Sequence, residues 1–154
     1  MLKYYSYAVT FAEVPDEISL YITISNCPIK CKDCNSKWLW KDEGIPLTID
    51  ELSDIVNKSN GITCICFGGG EYNLSELGDL FKWVKENTEL KVCWYTGLSD
   101  IPSANSLRIT QYCDYIKYGP YREDCGPITS KTTNQRFVQR VNGMWKDITN
   151  KFWR

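Results

Sequence analysis

Histidine is absent from this 154-residue chain. That removes the Cys/His pairings from which many structural zinc sites are built. A long apolar run is missing as well. Nothing approaches the ~20 residues of a membrane span, and Met1 to Glu13 holds no apolar region of signal-peptide type. Neither sign of charge dominates. The net charge is -1 with the charges mixed along the chain, so neither a nucleic-acid patch nor an acidic tail is expected. Internal repeats, low-complexity stretches and linkers are lacking too, and 154 residues are expected to make a single domain. That length is short of the about 250 residues of a complete eight-fold β/α barrel.

What is abundant is cysteine, with eight residues. With no secretion signal expected, clustered cysteines point to metal rather than disulfides, and to a reducing, cytoplasmic setting. Three of them form Cys27-Pro28-Ile29-Lys30-Cys31-Lys32-Asp33-Cys34, a C-x3-C-x2-C spacing directly after a strand-like run. Three thiolates so close in sequence reach one metal centre if the backbone curls, and Pro28 favours a curl. A closed zinc site wants four ligands, commonly as two pairs. Here no fourth cysteine follows for almost thirty residues. A cubane iron–sulfur cluster normally takes four thiolates. Three would leave one iron open for chemistry.

In chain order, Leu2 to Thr10 is aromatic-rich and β-prone, a first strand or a packed arm. Ile18, Leu20, Ile22 and Ile24 alternate with Ser19, Tyr21, Thr23 and Ser25, the period of a strand. Thr48-Ile49-Asp50-Glu51 is a capping-box pattern that predicts a helix to about Lys58. Ile62 to Phe67 reads as a second strand and runs into Gly68-Gly69-Gly70-Glu71. Asn73 with Glu76 caps a further helix, with Leu74, Leu77, Leu80, Phe81 and Val84 at helical spacing. Lys91 to Thr96 and Cys113 to Tyr118 complete a βα alternation, which predicts a parallel sheet. Phe137 to Val141, Asn142-Gly143 and Met144 to Ile148 predict a hairpin about an Asn-Gly turn.

Ligands of parallel β/α folds gather at the carboxyl ends of the strands. The cysteine stretch, the triple glycine with Glu71, Thr96-Gly97 and Gly119-Pro120 all fall there. Glycine lets backbone groups approach a ligand closely, so the Gly-Gly-Gly-Glu turn suits a small zwitterion; a plain tight βα turn explains it equally well. No Gly-Lys-Ser/Thr follows, so it is not a P-loop. Cys64, Cys66, Cys93 and Cys113 lie in strand-like runs, where a free cysteine behaves as a small buried hydrophobe. Cys125 is loop-borne: a thiol without a role, a redox-active one, or a fourth ligand in a non-catalytic site.

Cysteines at C-x3-C-x2-C after the first core strand, with a Gly-Gly-Glu turn after the next, resemble the radical S-adenosylmethionine enzymes. Within them, Tyr95-Thr96-Gly97, Asp114 to Tyr121 with its Gly119-Pro120-Tyr121, and Thr133-Asn134-Gln135-Arg136 look like the activating proteins of anaerobic (class III) ribonucleoside-triphosphate reductases. The resemblance runs from about Ile18 to Val141. It implies an α/β fold, a single radical-SAM domain over residues 1–154, built as a partial β/α barrel and closing with the C-terminal β-hairpin.

The resemblance also implies that Cys27, Cys31 and Cys34 hold three irons of a [4Fe-4S] cluster, whose fourth iron is chelated by the amino and carboxylate groups of S-adenosylmethionine. Gly68, Gly69, Gly70 and Glu71 contact the methionine moiety, and Thr96 reaches the cosubstrate. Reduction cleaves the sulfonium to a 5'-deoxyadenosyl radical, which takes a hydrogen from one glycine of the large reductase subunit; a flavodoxin or ferredoxin supplies the electron. Neither nucleic acid nor a membrane enters this scheme. Asp33 stands where this subfamily commonly has glycine, and Tyr72 where proline is usual. Asn134 and Arg136 match the motif without an assigned role. Activation of another glycyl-radical enzyme, a small-molecule radical reaction and a non-catalytic metal-binding module are the alternatives.

Overall fold

The computed structural model describes residues 1–27, 37–99 and 107–153. Its frame is an eight-stranded mixed sheet in the order β3-β1-β2-β4-β5-β6-β7-β8. The strands are β1 Lys3–Thr10, β2 Ser19–Ile24, β3 Ile45–Pro46, β4 Cys64–Gly68, β5 Lys91–Tyr95, β6 Tyr115–Tyr118, β7 Arg136–Val141 and β8 Met144–Asp147. In the centre, β2, β4, β5 and β6 run parallel. Flanking them, β1 and β3 are antiparallel on one side and β7 and β8 on the other. The hairpin turn between β7 and β8 is Asn142-Gly143, both at positive φ (52° and 78°), as a two-residue turn matched to strand twist requires.

Register decides what each face carries. Strands β2, β4 and β5 place Leu20, Ile22, Ile24, Ile65, Phe67, Val92 and Trp94 on one face, buried under α1 Ile49–Lys58 and α2 Leu74–Asn87. Leu52 and Ile55 of α1 and Leu77, Leu80, Phe81 and Val84 of α2 complete that layer. Phe81 is its hinge point, with ring centroids 5.0 Å from Phe67 and 6.1 Å from Trp94. Burying each such side chain contributes about 1.5–3 kcal/mol, which far exceeds the local preferences of either helix. A short helix, α3 Leu107–Thr110, precedes β6.

The other face is a different chemistry. Its rows run Tyr21, Cys66, Cys93, Tyr115, Gln139 and then Thr23, Gly68, Tyr95, Lys117, Phe137, each residue in register with the next. Cys64, Cys66, Cys93, Tyr115 and Phe137 are buried there with Val14 and Ile148. Burial pushes the Cys64 and Cys93 thiols well above their ordinary range. Cys113, on the helix side, is pushed up in the same way. These four cysteines are packed as small apolar side chains.

Helix α1 starts as its sequence predicts, with the Glu51 amide donating to Thr48 Oγ1 at 3.1 Å. The reciprocal arm of the capping box is not made. Glu51 Oε1 instead accepts from the Tyr4 hydroxyl at 2.6 Å, tying the helix to β1 and pushing the phenol pKa up to about 12, chiefly through burial. Thr48→Ala is therefore expected to cost about 1 kcal/mol, read as a lower urea midpoint with an unchanged slope. A slope that changes with the midpoint would mean more than a lost cap. Asn73 caps α2, accepting from the Glu76 amide at 3.1 Å and donating to the Glu76 carboxylate at 2.8 Å.

Candidate metal and cofactor centre

Cys27 stands three residues beyond the end of β2 and is half-buried. Its amide donates to the Leu39 carbonyl at 2.8 Å, and the Asn26 amide to the Lys41 carbonyl at 2.9 Å. The chain thus re-enters the described structure within a hydrogen bond of where it left it. Cys31, Asp33 and Cys34 lie outside the described residues, so of the three candidate ligands the structure places Cys27.

Next in the sheet comes the glycine turn that ends β4. Gly69 and Gly70 adopt φ of 104° and 91°, a region that side chains with a Cβ avoid. Space is closed as well. A Cβ on Gly69 would lie 3.1 Å from the Ile24 carbonyl oxygen, and one on Gly68 would lie 2.6 Å from the Tyr21 hydroxyl. Ile24 precedes Cys27 by three residues, so the turn packs directly on the strand that leads into the cysteine stretch. Two bonds from β5 fix the turn's orientation: Gly69 N–H donates to the Tyr95 carbonyl at 3.0 Å, and the Trp94 indole donates to the Gly69 carbonyl at 2.9 Å.

Glu71 follows in a short helical turn that leads into α2. Its Oε1 accepts from the Thr96 hydroxyl at 3.1 Å and from the Gly97 amide at 3.2 Å. Its Oε2 is buried and has no partner among the described residues. Burial pushes the carboxyl above its ordinary range, although hydrogen bonding to its own amide, the Gly97 amide and the Thr96 hydroxyl pulls the other way. A buried carboxylate oxygen left open is costly unless a donor arrives. The open oxygen therefore suits a small cation such as an ammonium group. Thr96 is itself buried and anchored, its amide donating to the Lys117 carbonyl at 2.8 Å. Gly68, Gly69, Gly70, Glu71 and Thr96 are brought together at adjacent strand ends, with the glycine turn against Ile24 of the strand that leads into the cysteine stretch.

Residues 17–142 match the family described as a 4Fe-4S single cluster domain. The chain belongs to that family. It is an iron–sulfur protein, and a [4Fe-4S] cluster is its prosthetic group. The family match begins just before β2 and ends in the turn after β7, so it spans the parallel core and every candidate site residue. A search of the curated proteins finds no match. Membership in a 4Fe-4S family suits the donor chemistry, because thiolate is the usual ligand of such clusters. Cys64, Cys93 and Cys113, whose thiols burial pushes up, are poor sources of it.

Three side chains at this edge were not singled out from sequence. Trp94 reads there as a core residue, Tyr21 as half of an alternation, and Lys117 as one letter of a motif. The strand register reveals them. Asn134, motif-matched but unassigned, donates to the Pro120 carbonyl at 2.8 Å, and Gln135 to the Gly119 carbonyl at 3.2 Å. Arg136 bonds the Thr133 and Gln135 carbonyls and lies 3.5 Å from Asp147. In the structure, this motif holds the turn after β6. Cys125 is half-buried, with its carbonyl accepting from Thr132 Oγ1 at 2.7 Å. No helix of the described residues is long and apolar enough to cross a membrane.

Proposed function

We propose that this iron–sulfur protein is a radical S-adenosylmethionine activase that generates the glycyl radical of anaerobic ribonucleoside-triphosphate reductase. The observation that carries the reading is the open Glu71 oxygen, buried in a glycine turn that packs against the strand leading to Cys27. In this reading Cys27, Cys31 and Cys34 hold three irons of the cluster. Gly68, Gly69, Gly70 and Glu71 receive the methionine moiety of the cosubstrate. Thr96 and the Gly97 amide keep Glu71 oriented through its other oxygen, so that the free one faces the ligand's ammonium. Trp94 holds the Gly69 carbonyl from behind, which keeps the turn from collapsing onto the site. When bound, the cluster supplies the electron that cleaves S-adenosylmethionine to a 5'-deoxyadenosyl radical, the species that takes hydrogen from a glycine of the reductase.

The four parallel strands are read as the wall of an incomplete β/α barrel, whose open side admits a loop of the large reductase subunit. A flavodoxin or ferredoxin is the proposed electron donor and the cytoplasm the proposed compartment. The deciding measurement is electron paramagnetic resonance of anaerobically reconstituted, dithionite-reduced protein. A [4Fe-4S] signal that changes on adding S-adenosylmethionine is the expected result. A signal blind to the cosubstrate would sink the activase reading and leave an iron–sulfur protein of another kind.

A further inference from the structure

The two edges of the sheet are built differently. Strand β8 ends one side with four residues, of which Lys146 and Asp147 are charged. On the other side β3 is two residues long, includes Pro46, and pairs only with Lys3 and Tyr4 of β1. Ser6 to Thr10 of β1 pair with β2 along one flank. Along the other, no strand of the described residues pairs with them, which leaves an open row of backbone N–H and C=O groups.

Edge strands are ordinarily blunted by charge, proline or brevity, because an open ladder invites another strand. This stretch has none of those devices. From Tyr4 to Ala12 the sequence holds no charge, no proline and no glycine. Its large side chains meet solvent: Tyr5, Tyr7, Val9 and Phe11 are 51%, 41%, 46% and 76% exposed. Tyr7 and Val9 stand opposite Ile22 and Leu20, on the face that is buried under the helices one strand further in.

The run is also complementary to itself. Laid antiparallel about a two-fold axis at Ala8, Tyr7 meets Val9, Ser6 meets Thr10 and Ala8 meets its own copy. One face then holds aromatic–β-branched pairs and the other Ser–Thr pairs, both favourable across strands. Tyr5 and Phe11 flank the ladder. At about 200 Å² for a whole aromatic side chain, the three exposed aromatics alone cover on the order of 300 Å² per copy. Val9 and two strand backbones bring the pair toward the about 1,000 Å² that a specific interface clears.

We propose that the open edge of β1 docks a second copy of this chain, joining the two sheets antiparallel through Ser6 to Thr10. The inference does not depend on the cofactor reading above. The test is sedimentation equilibrium of the reconstituted full chain, kept anaerobic and in excess reductant so that no disulfide contributes. The samples are wild type, Ala8→Lys, Ala8→Glu and an equal mixture of the two variants. Ala8 is exposed, so the far-ultraviolet circular dichroism of each variant should match wild type. Wild type should be a dimer, and each variant alone should raise its dissociation constant at least about tenfold, because like charges then stand directly opposite each other. In the mixture lysine meets glutamate, and the dimer should return to within about threefold of wild type. A monomeric wild type would overturn the proposal and leave the edge to a strand of another protein. Dimers that persist in both variants, or a mixture no tighter than its components, would overturn it as well.

Discussion

Replacing any one of Cys27, Cys31 or Cys34 with alanine is expected to abolish the reduced-cluster signal and drop bound iron from about four per chain to less than about one. The reason is ligand count. With an open iron already served by no protein ligand, a further loss leaves two thiolates for a four-iron cube, which does not hold it. The contrast within the same chain is the sharper part. Cys64→Ala and Cys113→Ala should keep the cluster and its signal, while lowering stability by about 1 kcal/mol each. Both thiols are buried and pushed up by that burial, so neither offers the thiolate that a cluster requires. Iron and sulfide analysis with a thermal melt on the same samples reads both effects. A cluster that survives Cys31→Ala but not Cys64→Ala would move the metal centre to the sheet and undo the proposed site.

That Cys64, Cys66 and Cys93 pack in the core was legible before any coordinates. A C-x3-C-x2-C spacing with a proline reads as a loop, whereas Cys64, Cys66 and Cys93 sit in β-branched, apolar runs. The parallel core was legible for the same reason, since its strands are short apolar runs that end in glycine. Other parts were not. Strand β3 is two residues long and exists because Lys3 and Tyr4 pair with it, a contact with no local signature. Glu51 completes a capping-box pattern, yet its carboxylate goes to Tyr4, which approaches only once β1 is in the sheet. Lys117 was hidden by the sheet itself. A central parallel strand is covered on both faces, so its sequence does not say which residues share a face with Gly68. Only the register of β4, β5 and β6 does that.

Glu71→Gln is expected to separate binding from stability, improving one as it ruins the other. Glutamine keeps an acceptor for the Thr96 hydroxyl and the Gly97 amide, so the turn should survive. At the open position it can present a donor instead of a charged acceptor, facing an ammonium ligand with the wrong group. S-adenosylmethionine affinity should fall by roughly 100-fold. The ligand-free protein should respond in the opposite sense. Burial raises the Glu71 pKa from its ordinary 4.5, so between that value and the raised one the folded state binds more protons than the unfolded state. Wild-type stability from this group therefore falls as pH rises through that window and is level above it. Glutamine has no such penalty. The variant should match wild type near pH 4 and melt higher at pH 7 to 8, by roughly 2–4 °C for each kcal/mol removed. Binding should mirror this in wild type alone, tightening as pH rises through the raised Glu71 pKa, because an ammonium ligand needs the carboxylate ionised. Parallel melting curves for the two proteins across that range would show that Glu71 already has a counter-ion, and the open oxygen would lose its meaning as a ligand site.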